Sequence, residues 1–127
     1  MSYTTTILVV DDNPPMTKSL ADILALKGYV VLTAQGGAEA LEILRKQPVD
    51  ILLTDVVMPG MDGVTLYRQA REILPRLTAF LMTAYATDDL IDQGMAEGIR
   101  TVLTKPIDIN FFLSLIAAVE HSYIHRR

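Results

Sequence analysis

Three carboxylates, a hydroxyl and an ammonium stand where four apolar runs of this 127-residue chain end. Asp55 closes the run Ile51-Leu52-Leu53-Thr54 and opens directly into Val56-Val57-Met58-Pro59-Gly60-Met61-Asp62-Gly63. Ile7–Val10 ends in Asp11-Asp12, Phe80–Met82 in Thr83, and Thr101–Leu103 in Thr104-Lys105-Pro106. Brought together, these groups describe a small polar site in which Asp55 is the expected reactive group. Neighbouring carboxylates repel one another, which raises their proton affinity unless a cation neutralises them. A carboxylate nucleophile has to stay ionised.

Such a site needs elements that deliver each group to one place, and the chain supplies them in alternation. Thr5–Val10 is apolar and β-branched; Asn13-Pro14-Pro15 then reads as a cap with Pro in the first helical turn, and the helix stops at Gly28. Val30–Ala34, Ile51–Thr54, Thr78–Met82 and Arg100–Leu103 read as further strands. Gly37–Gln47, Gly63–Leu74 and Asp88–Glu97 read as helices, and Asp108 caps a fifth. Ala40, Leu41 and Leu44, and likewise Leu66, Ala70 and Ile73, form the apolar faces of two of them. Five β-α units with uninterrupted apolar strands predict an α/β fold, a parallel sheet covered by helices on both faces. Ligands of such sheets bind beyond the carboxyl ends of the strands, where the acids, Thr83 and Lys105 lie.

The bulk numbers narrow the function. A chain of this length suits one domain. No apolar run approaches the ~18 residues a membrane span needs, and no basic-then-apolar leader opens the sequence. The absence of cysteine excludes disulfides and thiolate metal sites and is compatible with a cytoplasmic setting. Net charge is −4, with the one basic cluster at His125-Arg126-Arg127, so nucleic-acid binding by this domain is not expected.

Asp11-Asp12, Asp55 with Met58-Pro59-Gly60-Met61-Asp62-Gly63, Thr83-Ala84 and Lys105-Pro106, in this order on these elements, resemble the receiver domain of two-component response regulators. The resemblance runs from Ile7 to about Val119. It implies a flavodoxin-like (βα)5 three-layer sandwich with strand order 2-1-3-4-5. It makes 1–127 a single receiver domain with a core of about 5–120, and 121–127 reads as a natural end or the start of a linker. It implies that Asp55 accepts a phosphoryl group from a histidine kinase or phosphotransfer protein, with Mg2+ as cofactor. Asp12 and Asp55 would bind the metal directly, Asp11 mainly through a metal-bound water, and the backbone carbonyl of Val57 would add a ligand. Lys105 would offset charge on the transferring group, and Thr83 would bond a phosphoryl oxygen, with small Ala84 leaving room. The Lys105–Pro106 bond is expected to be cis, and Asp62 is assigned to capping the third helix. The chain is then a switch rather than an enzyme, limited to Mg2+-dependent self-phosphorylation and self-dephosphorylation.

Several positions depart from that family's pattern. Val102 stands three residues before Lys105, where an aromatic ring usually switches. Val57 and Tyr85, two beyond Asp55 and two beyond Thr83, are poor general bases for a hydrolytic water, so the phosphorylated form is expected to persist for many minutes or longer. On the last helix Ile109, Phe112, Ile116, Val119 and Tyr123 form a stripe, with Phe111 and Leu115 beside it as a further core surface or as a dimer or effector surface. An aspartyl-phosphate hydrolase would need a second acid where Val57 stands. A flavodoxin-like cofactor binder would need a phosphate loop where Asp11-Asp12 stand. A receiver that no longer takes phosphate would not need Asp12, Asp55, Thr83 and Lys105 together.

Overall fold

The computed structural model describes residues 4–84 and 89–125, with side chains through residue 122. Strands β1 (Thr6–Val10), β2 (Val30–Ala34), β3 (Ile51–Asp55), β4 (Thr78–Thr83) and β5 (Thr101–Thr104) alternate with helices α1 (Pro14–Leu26), α2 (Gly37–Lys46), α3 (Gly63–Ile73), α4 (Asp89–Glu97) and α5 (Ile109–His125). All strand pairs are parallel and the sheet order is β2-β1-β3-β4-β5. The expected α/β architecture and strand order are therefore those observed. Asp55 and Thr83, read as residues just past their strands, are the last residues of β3 and β4.

The two-residue period of the strands divides the core into two layers. Ile7, Val9, Ile51, Leu53, Phe80, Met82 and Leu103 pack with Leu20 and Leu24 of α1 and Phe112, Ile116 and Val119 of α5. Leu8, Val10, Leu52, Ala79 and Leu81 pack against α2, α3 and α4 through Leu41, Leu44, Leu66, Ala70 and Ile91. Phe80 and Phe112 meet edge to face at 5.6 Å, the arrangement that ring quadrupoles favour.

Local chemistry sets the helix starts. Asn13 accepts a hydrogen bond from the Met16 amide at 3.2 Å, Asp62 from the Thr65 amide at 2.8 Å, and Asp108 from the Phe111 amide at 3.1 Å. Each cap satisfies one of the helix's orphan donors. Gly60, at φ +80°, follows Pro59 in the conformation that the third residue of a type II turn requires.

Gly63 starts α3 pressed against β3, where a Cβ would overlap the carbonyl of Asp55 and lie 3.2 Å from Thr54 Cγ2. Backbone cannot yield there as a flexible side chain could. Gly63→Ala is expected to destabilise the fold by about 1–3 kcal/mol. Urea denaturation measures this, and an unchanged midpoint would show that α3 steps back freely.

Between α3 and α4 lies a polar contact the sequence did not reveal. Arg68 holds the Glu97 carboxylate with two bonds, Nε to Oε1 at 2.8 Å and Nη2 to Oε2 at 2.6 Å. Arg71 donates to the Glu97 carbonyl at 2.7 Å, and the Tyr67 hydroxyl donates to the same carbonyl at 3.2 Å. The hydrogen bond and charge of Arg68 hold the Glu97 carboxyl below its ordinary range, against the opposing effect of burial.

Candidate functional site

The period that puts Val9, Leu53 and Leu103 in one core layer carries on two residues further to Asp11, Asp55 and Lys105. All three thus emerge on the α1–α5 side of the sheet at its carboxyl edge, and there they meet. Lys105 Nζ lies 2.7 Å from Asp11 Oδ2 and 3.0 Å from Asp55 Oδ2. The Lys105–Pro106 peptide bond is cis. Asp11 is 1% exposed and Asp55 8%, whereas Asp12 faces solvent. The other oxygen of Asp11 accepts from the Asn13 amide at 3.0 Å, so both its oxygens already have protein partners.

Burial pushes the Asp55 carboxyl up from its ordinary value and the Asp11 charge adds to this. The Lys105 ammonium and the backbone amide of Val57 pull it down, and the net direction is up. Burial by itself would lower the Lys105 ammonium, but its hydrogen bonds to Asp11 and Asp55 outweigh that and raise it. At neutral pH one cation thus faces a cluster of acids.

Asp11, Asp12 and Asp55 each offer an oxygen, and these atoms all lie within 4.8 Å of one another. An all-oxygen, carboxylate-rich set fits a hard divalent cation rather than a soft metal. Asp12 faces solvent and can turn an oxygen to such an ion, whereas Asp55 carries contacts from Lys105 and the Val57 amide. Asp11 would have to give up Lys105 or Asn13. Chemically, the site brings three carboxylates that could hold a metal ion together with a positioned ammonium.

The other expected residues fall as follows. Thr83 is 2% exposed, and its carbonyl accepts from the Lys105 amide at 2.8 Å, which ties the end of β4 to the lysine. Val57 is 63% exposed beside the site. Val102 pairs with Leu81 and packs, half-buried, towards the α2–α4 layer. Tyr85 and the Tyr123 side chain lie outside the described residues. Phe111 is half exposed, whereas Leu115 packs partly against the α1–α5 core layer. Sequence reasoning missed the Asn13 amide on Asp11 and the Val57 amide on Asp55. The signal available for the first was the short polar step from Asp11 to Asn13, since an Asp side chain often bonds the amide two residues on.

Residues 7–117 match the family described as response regulator receiver domain. The chain is 41% identical over 108 residues to a response regulator receiver protein of Anaeromyxobacter sp. (strain Fw109-5), covering 85% of this chain and 45% of that one. It is 36% identical over 119 residues to the DNA-binding transcriptional regulator NtrC of Escherichia coli (strain K12), covering 94% and 25%. It thus spans less than half the length of these curated relatives. Among solved structures, the beryllofluoride-activated NtrC4 receiver domain dimer superimposes with a TM-score of 0.84 at 30% identity, covering 93% of this chain and 98% of that one.

Proposed function

The chain belongs to the response regulator receiver family, and from that premise we propose that Asp55 accepts a phosphoryl group from a histidine kinase or phosphotransfer protein in a Mg2+-dependent reaction. The observation that supports this best is the Lys105 ammonium held between Asp11 and Asp55 beside Asp12. Receivers are signalling switches rather than enzymes with a separate substrate. Here the reaction would modify the protein itself.

In the proposed transfer an Asp55 oxygen forms a bond to phosphorus while the donor's P–N bond breaks and its electron pair returns to the imidazole. Asp12 and Asp55, with the Val57 carbonyl, would hold Mg2+, and Asp11 would act through a water. Bound there, the ion neutralises the carboxylates and the transferring oxygens. Lys105 sits within reach of Asp55 Oδ2, so its ammonium can follow the new negative charge without travelling far. Thr83 would donate its hydroxyl to a phosphoryl oxygen. The modification adds roughly −1.5 to −2 charge, which the start of α4 and the α5 surface would report to a partner. With a valine at position 102, that report would not use a large rotamer change there.

Incubation with acetyl phosphate and Mg2+ tests the reading, since EDTA should abolish the adduct. The same experiment times its decay. With Val57 and Tyr85 at the two positions that would have to serve a hydrolytic water, a half-life of many minutes is expected. Loss within seconds without a phosphatase would contradict it.

Phe111, with Leu115 one turn on, is proposed as a contact to a second copy or an effector. Replacing both with Asp should abolish self-association and leave phosphorylation intact. Self-association that survives the double substitution, measured by sedimentation, would remove this face. No described helix is long and apolar enough to cross a membrane, and a cytoplasmic setting is part of the same proposal.

A further inference from the structure

The two edges of the sheet are built differently. β5 has four residues, is entered from Arg100 and leaves through Lys105 and the cis Pro106. Short length, charge and proline are what keep an edge strand from pairing with another chain. β2, the opposite edge, has neither charge nor proline. Tyr29-Val30-Val31-Leu32-Thr33-Ala34-Gln35 also lacks glycine and is β-branched at Val30, Val31 and Thr33, a composition suited to a paired strand. Yet Val30 is 45% exposed, and Thr33 also faces solvent.

The backbone of β2 defines which groups are open. Val30 donates to the Thr5 carbonyl and Ala34 accepts from the Asp11 amide, both at 3.1 Å. Residues 30, 32 and 34 thus turn their backbone groups towards β1, and by the two-residue period Val31 and Thr33 turn theirs outwards. The outward amides on either side are closed, Tyr29 on the Leu24 carbonyl at 3.3 Å and Gln35 on Glu39 Oε1 at 2.8 Å. Between them Val31 and Thr33 present two donors and two acceptors to an edge with no neighbouring strand among the described residues.

Such a stretch is complementary to itself. An antiparallel partner related by a two-fold axis at Leu32 sets Val31 against Thr33 of the second copy and Thr33 against its Val31. Each pair exchanges two hydrogen bonds. The ladder goes no further, because the next pair, Tyr29 and Gln35, has its amides in use. Above the edge, Lys18 and Asp22 of α1 line the notch beside Val31 and Thr33. α1 runs back against the strand direction, so Lys18 stands nearer the carboxyl end than Asp22. The two-fold axis therefore directs Lys18 of each copy towards Asp22 of the other, in place of the exposed 2.9 Å pair within one chain. Parallel addition would match neither the charges nor a closed dimer.

We propose that the β2 edge is a docking surface for a second copy of this chain, joined antiparallel at Leu32 into one continuous sheet. It lies on neither the Asp55 site nor the Phe111 face and does not depend on phosphorylation. Four backbone bonds and a short strand bury less than the roughly 1,200 Å2 of a stable complex. The pairing therefore fills at about millimolar concentration, such as tethering imposes, and not at the micromolar concentrations of sedimentation.

The chain has no cysteine, so a single introduced thiol reports on one position. In the proposed dimer the Cα atoms of residue 32 lie about 4.5 Å apart, within reach of a disulfide. Those of residue 30 lie roughly 13 Å apart. Under mild oxidation at about millimolar protein, Leu32→Cys should form a disulfide dimer at least about tenfold faster than Val30→Cys. Adding Thr33→Pro, which removes an outward donor and leaves the bonds to β1 in place, should abolish that advantage. Adding Asp55→Asn instead should leave it unchanged. Equal rates for the two cysteine variants, or no effect of Thr33→Pro, would overturn the pairing. The native chain gives an independent reading by NMR. The Val31 and Thr33 amides should shift between about 0.05 and 1 mM protein, with exchange at least about twofold slower at the higher concentration. Amides that ignore concentration would overturn the second copy as occupant and leave the edge to an extended segment of another protein.

Discussion

Lys105→Met should lower folding stability by about 3 kcal/mol when no divalent cation is present. Methionine keeps most of the apolar stem, so the change removes chiefly the ammonium between Asp11 and Asp55. Asp11 is 1% exposed and cannot recover its hydration in place. A buried carboxylate stripped of its partner keeps its desolvation penalty with little to offset it. The raised Lys105 value gives the pH window. A cation with a raised folded value contributes fully below its unfolded value and loses that contribution only as pH rises through the folded one. At pH 7 the whole effect is therefore available to be lost. Mg2+ should rescue the variant far more than it stabilises the native chain, because the acids left behind repel more strongly. Urea midpoints with EDTA and with Mg2+ measure both effects. Equal EDTA midpoints would show that Lys105 does not hold the acids together.

Asp55→Asn should move stability the other way, upwards by roughly 1 kcal/mol at neutral pH. The substitution is nearly isosteric and leaves Lys105 paired with Asp11, so no charge is stranded. Burial, with the Asp11 charge, raises the Asp55 carboxyl. A carboxyl raised in this way favours the fold most below its ordinary value, and that advantage fades as pH rises through the raised value. The gain from asparagine should accordingly be largest at neutral pH and shrink as pH falls towards the ordinary range of Asp. A variant less stable than the native chain at pH 7 would mean that Asp55 contributes as an ion to the fold itself. The opposite signs expected for the two substitutions distinguish a site with excess negative charge from an ordinary surface ion pair.

Much of this was legible in the residues because period and position carry it. Apolar runs of strand length followed by amphipathic stretches could only pair in parallel, and the acids stood at the ends where such sheets hold ligands. Glycine, proline and Asx signals placed nearly every helix boundary within one residue, as at Asn13, Asp62 and Asp108. The partner of each charge was harder to read. Lys105 was expected to face the transferring group, yet its shorter bond is to Asp11, 94 positions away along the chain. Arg68 and Arg71 carry no local signal of a partner. That they meet Glu97, 29 and 26 positions further on, depends on the α3–α4 crossing, which no local pattern encodes. Leu115 stood beside Phe111 as a candidate surface. At the helix rotation adopted, the core takes part of Leu115 and leaves Phe111 half exposed.

The central claim is most directly tested by weighing the intact protein after incubation with Mg2+ and acetyl phosphate, beside Asp55→Asn treated identically. One added phosphoryl group on the native chain, absent from the variant and lost on adding EDTA before the donor, is the predicted result. An adduct of equal yield on Asp55→Asn, or none on the native chain even with a histidine kinase phosphodonor supplied, would contradict the assignment of Asp55 as phosphoryl acceptor.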